Sequence, residues 1–90
     1  MEYEVIISTK ATSQLRRIDQ RYTIAIKTKI AMLKDFPDVY HVLDIKHLNG
    51  NQYRIRHGDY RIFFEVIDGV PKIINIMQVK RRTSRTYKKQ

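Results

Sequence analysis

The sequence predicts an α+β domain: a small antiparallel sheet with two N-terminal helices packed on one of its faces. Three observations carry this. Apolar residues recur at helical spacing early in the chain, at Leu15, Ile18 and Tyr22 and again at Ile26, Ile30 and Leu33. From Tyr53 to Val66 apolar and polar residues alternate around Gly58-Asp59, the period of paired strands. An Ile-rich run from Lys72 to Val79 then follows a second turn, Asp68-Gly69.

Ninety residues make one small domain, 1–90, whose last stretch, 80–90, is a basic segment. Hydrophobic residues make up 42%, with three Gly and two Pro, enough for a core but not a large one. In order, Glu2 to Ile7, which contains Val5, Ile6 and Ile7, reads as a strand. Ser8 or Thr9 caps a helix starting near Lys10. Asp19-Gln20 separates it from a second helix, from about Tyr22 to Asp35, with Lys27, Lys29 and Lys34 off its apolar stripe. Phe36 precedes Pro37, which pushes it out of the helical region and ends the helix. Basic helices can lie on a membrane surface, but this apolar stripe is needed by the sheet. Residues 38–51 form the least regular part, closing in a turn at Asn49-Gly50-Asn51.

The next stretch is a hairpin. Gly58-Asp59 fits a two-residue type II′ turn, since Gly tolerates the positive φ of the first central position. His57 then faces Tyr60 and Arg56 faces Arg61. Arg54, Arg56 and Arg61 share one face; Tyr53, Ile55, Ile62 and Phe64 share the other. A slip of one residue would invert every side chain. Asp68-Gly69 has the chemistry of a type I′ turn, and Pro71 is placed just inside the next strand.

Eighteen Lys and Arg against nine Asp and Glu leave a net charge of +9. That favours a polyanionic partner: RNA, DNA or an acidic protein segment. Three arginines converging on one sheet face repel one another unless an anion docks there. Lys80, Arg81, Arg82, Arg85, Lys88 and Lys89 add six positive charges at the end of the chain with no acid among them. There is no cysteine, hence no disulfide framework or thiolate metal site. His41, His47 and His57 lack metal-ligand spacing, so no metal and no cofactor is expected. No P-loop, dinucleotide turn, histidine pair or two-metal carboxylate cluster is present. No stretch reads as a signal peptide or membrane span, so no membrane partner is expected. If this is an enzyme, it works with cations and a tyrosine.

Leu48-Asn49-Gly50, Tyr53-Arg54-Ile55-Arg56 and Gly58-Asp59-Tyr60-Arg61-Ile62 together resemble the RelE/ParE superfamily of bacterial toxins. Val79-Lys80-Arg81-Arg82 with Tyr87 looks like its RelE branch. The similarity runs from Tyr3 to about Tyr87. The resemblance implies the toxin of a type II toxin-antitoxin system, a cytoplasmic, metal-independent endoribonuclease that cleaves mRNA in the ribosomal A site. It implies an antitoxin protein, the ribosome with its rRNA, and mRNA as partners, and a toxin-antitoxin hetero-oligomer. Arg54 and Arg56 fall where RelE has paired lysines, and Arg61 on the arginine of the following strand. Arg81 falls on the arginine assigned to stabilising the transition state or protonating the leaving group, and Tyr87 on the tyrosine that stacks near the scissile phosphate. Lys80, Arg82, Arg85, Lys88 and Lys89 are then expected to grip RNA or the ribosome.

Arginine at both lysine positions is a departure. A guanidinium is a poor general base, having a pKa above about 12. Proton removal therefore rests on electrostatics or on another group. Lys80 and His57 are the candidates, although the hairpin turn sends His57 to the opposite face. Two alternatives accompany the nuclease: a ParE-like inhibitor of DNA gyrase, and a non-catalytic member that only binds RNA or antitoxin.

Overall fold

The computed structural model describes residues 2–82. Tyr87, Arg85, Lys88 and Lys89 lie outside the described residues. The elements run β1 (Glu4–Ile7), α1 (Thr9–Arg16), α2 (Gln20–Met32), a 3₁₀ turn (Leu33–Asp35), β2 (Ile45–Asn49), β3 (Gln52–His57), β4 (Tyr60–Ile67) and β5 (Ile73–Arg81). They build one five-stranded sheet in the order β1-β5-β4-β3-β2. The α+β class and the helices on one face are as expected. Four strands pair antiparallel, and β1 adds to β5 in parallel.

Local chemistry sets the helix ends. The Ser8 hydroxyl accepts the Ala11 N–H at 3.1 Å and starts α1. Asp19 does the same for α2, accepting the Arg21 N–H at 2.8 Å. Phe36, before Pro37, leaves helical space with ψ 138. Beneath the helices, Ile55, Ile62, Phe64, Ile74 and Ile76 are fully buried. Ile26, Ile30 and Leu33 close over them from α2 and its last turn. Truncating one such side chain to Ala typically costs about 2–5 kcal/mol.

Three expectations are corrected. Residues 45–49 are a strand, β2, which pairs along the outer side of β3. A five-residue edge strand with one buried side chain, Ile45, carries too little alternation to stand out. The two-residue turn expected at Asp68-Gly69 does not form. The connection runs from Asp68 to Lys72, and Gly69 does not take the left-handed φ a type I′ turn requires. Pro71 lies in this loop rather than inside β5; having no N–H, it cannot donate to the ladder, and pairing begins at Ile73 opposite Ile67.

One irregularity decides which side chains at the end of β5 face the helices. In the β4–β5 ladder Phe63 pairs with Gln78, but Phe64 pairs with Ile76, leaving Met77 as an extra residue in β5. Helix α1 holds this bulge. The Ser8 hydroxyl donates to the Met77 carbonyl at 3.0 Å, and the Gln14 side-chain oxygen accepts the Val79 N–H at 2.6 Å. A bulge shifts the alternation by one. Ile74 and Ile76 face the core, and after the extra residue so does Val79.

Candidate functional site

The hairpin brings the arginines together as its turn chemistry requires. Gly58 has φ +57, and Asp59 has no positive φ, the pattern of a type II′ turn. Arg56 stands opposite Arg61, Arg54 opposite Phe63 and His57 opposite Tyr60. Tyr60 is buried against Tyr22 of α2, with ring centroids 5.6 Å apart, so His57 and Tyr60 belong to the helix side. Arg54, Arg56 and Arg61 therefore share the face away from the helices.

Neighbouring strands enlarge this cluster. Lys80 of β5 is opposite Arg61, and Lys46 of β2 is opposite Arg54. Arg82 follows Lys80 at the next same-face position, and its N–H donates to the Asp59 carbonyl at 2.6 Å. The Arg61 guanidinium folds back over the turn and donates from Nη1 to the Gly58 carbonyl at 2.9 Å. Burial, and then the charges of Arg54, Arg56 and Arg82, hold Arg61 below the usual guanidinium value, against the opposing pull of Asp59. The Nε of Arg54 is buried without a hydrogen-bond partner. Two of the acids near these cations are engaged. Asp44 accepts from Arg56 Nε at 3.1 Å, and Glu65 accepts from Asn75 at 2.9 Å.

Arg81 does not join them. It is opposite Tyr60, and its guanidinium carbon lies 6.0 Å from the centroid of that ring, on the helix side. The Met77 bulge is the reason: with unbroken alternation, Arg81 would face the arginine cluster and Lys80 the helices. Arg81 instead lines a small cleft of about 110 Å³ with Tyr22, His57, Gly58, Asp59 and Tyr60. Within it, desolvation first and the Lys29 ammonium second hold His57 below the ordinary imidazole value of 6.5. Lys46 was not among the sequence candidates. Ile45-Lys46-His47-Leu48 lacks the period-2 alternation of a half-buried strand, so no local signal marked it.

Residues 5–85 match the family described as the ParE toxin of type II toxin-antitoxin system, parDE. The chain belongs to this toxin family. No curated protein sequence matches it. Among solved structures, the toxin is similar to that of an archaeal RelE-RelB complex from Pyrococcus horikoshii OT3, at 26% identity, 93% coverage of this chain and 99% of that one, with a TM-score of 0.80. It is also similar to the RelB-RelE antitoxin-toxin complex from Methanococcus jannaschii, at 26% identity, covering 90% and 94%, with a TM-score of 0.67. The isolated E. coli RelE toxin shares its fold at 20% identity, covering 94% and 90%, with a TM-score of 0.72. The toxin is thus a member of the RelE/ParE superfamily with RelE-like architecture.

Proposed function

We propose that this toxin is an endoribonuclease that cleaves mRNA in the ribosomal A site, without a metal ion, and is held in check by an antitoxin. The observation that carries this is the gathering of Arg54, Arg56, Arg61, Lys80 and Arg82 on one face of three adjacent strands. Such a surface suits a phosphodiester. The ribose 2′-oxygen gives up its proton and attacks phosphorus, the bond to the 5′-oxygen breaks, and that oxygen takes a proton from water, leaving a 2′,3′-cyclic phosphate and a 5′-hydroxyl. Charge builds on the phosphoryl oxygens, where preorganised guanidinium groups stabilise it more than they stabilise the ground state. Lys80 lies on this face and His57 does not, so Lys80 is the group assigned to the 2′-OH proton. An amine gives up its own proton more readily than a guanidinium does. The ribosome supplies the substrate geometry that so small a site cannot impose alone. Tyr87 is assigned to base stacking, and Arg85, Lys88 and Lys89 to the ribosome contact.

The antitoxin assignment rests on the RelB-bound relatives and on the net charge of +9. The family description, parDE, supports the other branch, a gyrase inhibitor without nuclease activity. The cation cluster favours the nuclease, because only the nuclease needs charge focused on one phosphate. Primer extension on a translated message after brief induction separates them. Codon-phased cuts, lost in Arg61→Ala, support the nuclease; intact message with DNA damage overturns it in favour of gyrase inhibition.

A further inference from the structure

Asp44 precedes β2 and is the one non-glycine among the described residues with a left-handed backbone, φ 53. An L side chain there stores strain, and such strain persists where the surroundings over-determine the residue. Two contacts to a single neighbour do so. The Asp44 carbonyl accepts the Arg56 N–H at 3.2 Å, and its carboxylate accepts Arg56 Nε–H at 3.1 Å. The Arg56 side chain is still 55% exposed. A carboxylate on Nε occupies one edge of the guanidinium and leaves the two outer nitrogens available to a ligand. Those are the atoms that grip a phosphate bidentately.

Charge alone makes this placement unfavourable for anion binding. A negative group beside Arg56 weakens attraction to RNA, and glycine would relieve the backbone. We propose that Asp44 is the positioning residue of the site: it gives up some RNA affinity and some backbone ease to fix the Arg56 fork for the transition state. This rests on the nuclease reading. Arg56 swings on a flexible stem when unheld, and misplacing a catalytic group by about 1 Å can cost about 10²-fold in rate.

The test compares wild type, Asp44→Gly and Asp44→Asn on the full-length toxin. Three quantities are measured: the urea midpoint, the affinity for a short single-stranded RNA, and single-turnover cleavage of a ribosome-bound message. Asp44→Gly should keep or raise the midpoint, bind RNA several-fold more tightly, and cleave on the order of 10-fold or more slowly. Asp44→Asn should recover most of the rate, since Asn tolerates the left-handed backbone and its amide oxygen still accepts from Nε. A lowered midpoint in Asp44→Gly, with binding and cleavage falling together, overturns the proposal in favour of a structural role. Binding and cleavage rising together overturns it in favour of a simple electrostatic brake. If Asp44→Gly cleaves at the wild-type rate, the proposal alone fails. If wild type leaves the message intact, the nuclease reading fails, and the proposal with it.

Discussion

Arg56 and Arg61 face each other across the β3–β4 hairpin on the side of the sheet turned away from the helices. Two guanidinium groups in register repel, and that repulsion offsets the hydrogen bond that Arg61 gives the Gly58 carbonyl. Arg61→Ala should therefore leave the urea midpoint unchanged or slightly higher. On the nuclease reading, its loss removes charge proposed to act on the phosphoryl oxygens and should lower cleavage by on the order of 10²-fold. Both are read on one preparation, by urea titration and by primer extension. Wild-type cleavage in Arg61→Ala would remove the hairpin face from the mechanism.

Arg54 carries a second sign of the same conflict. Its Nε is buried with no partner, a desolvation cost that the fold does not recover. Arg54→Met keeps the apolar stem and removes the charge, so it should match or exceed wild-type stability. RNA binding should weaken, with the slope of log affinity against log salt reduced by about 1. A destabilisation beyond about 1 kcal/mol would mean that the guanidinium supports the fold through contacts its Nε does not make.

Lys80 tests the proton-transfer assignment. Lys80→Arg preserves the charge opposite Arg61 and removes the amine. RNA affinity should hold while cleavage falls on the order of 10²-fold, the usual scale of general-base catalysis. Retention of the rate would mean that electrostatics alone accounts for the 2′-OH proton.

His57 makes stability depend on pH. Desolvation and Lys29 hold its folded-state value below the ordinary 6.5, so the unfolded chain binds a proton that the folded chain does not. Unfolding free energy then rises with pH in that window and falls as the solution is acidified through 6.5. Arg81 and Asp59 line the same cleft. Urea midpoints from about pH 8 to about pH 5 should decline in wild type and decline less steeply in His57→Gln. Identical slopes would place the acid sensitivity elsewhere.

The arginine face was legible because the hairpin is a local object. Gly58 admits the positive φ, two residues close the turn, and the turn sets the register of Arg54, Arg56 and Arg61. The Ser8 cap and the break before Pro37 were legible for the same reason. What escaped depends on distant partners. β2 is a strand because β3 offers it an edge. The Met77 bulge exists because Ser8 and Gln14, more than sixty residues earlier, bond to β5. Asp68-Gly69 fails as a tight turn because Pro71 delays the pairing that would close it.

Arg81 is where local pattern and long-range packing disagree, and magnitudes decide what to expect of it. The resemblance assigns it to the transition state, yet it rests over Tyr60 on the helix side. At an exposed strand end that cation–π contact is worth about 0.5–1 kcal/mol. A guanidinium directed at developing phosphoryl charge is worth about 2.7–4 kcal/mol. On the nuclease reading, the developing phosphoryl charge therefore outcompetes the ring, and Arg81 is expected to leave Tyr60 as the transition state forms. Arg81→Ala should change stability by less than about 1 kcal/mol and lower cleavage by on the order of 10²-fold. Lys at this position should recover little, lacking the fork. The check is a urea midpoint, ribosome co-sedimentation and message cleavage on one preparation, with Arg82→Ala beside it. If Arg81→Ala cleaves at the wild-type rate while Arg82→Ala does not, the bulge has reassigned the role to the next residue, and Arg81 belongs with Tyr60.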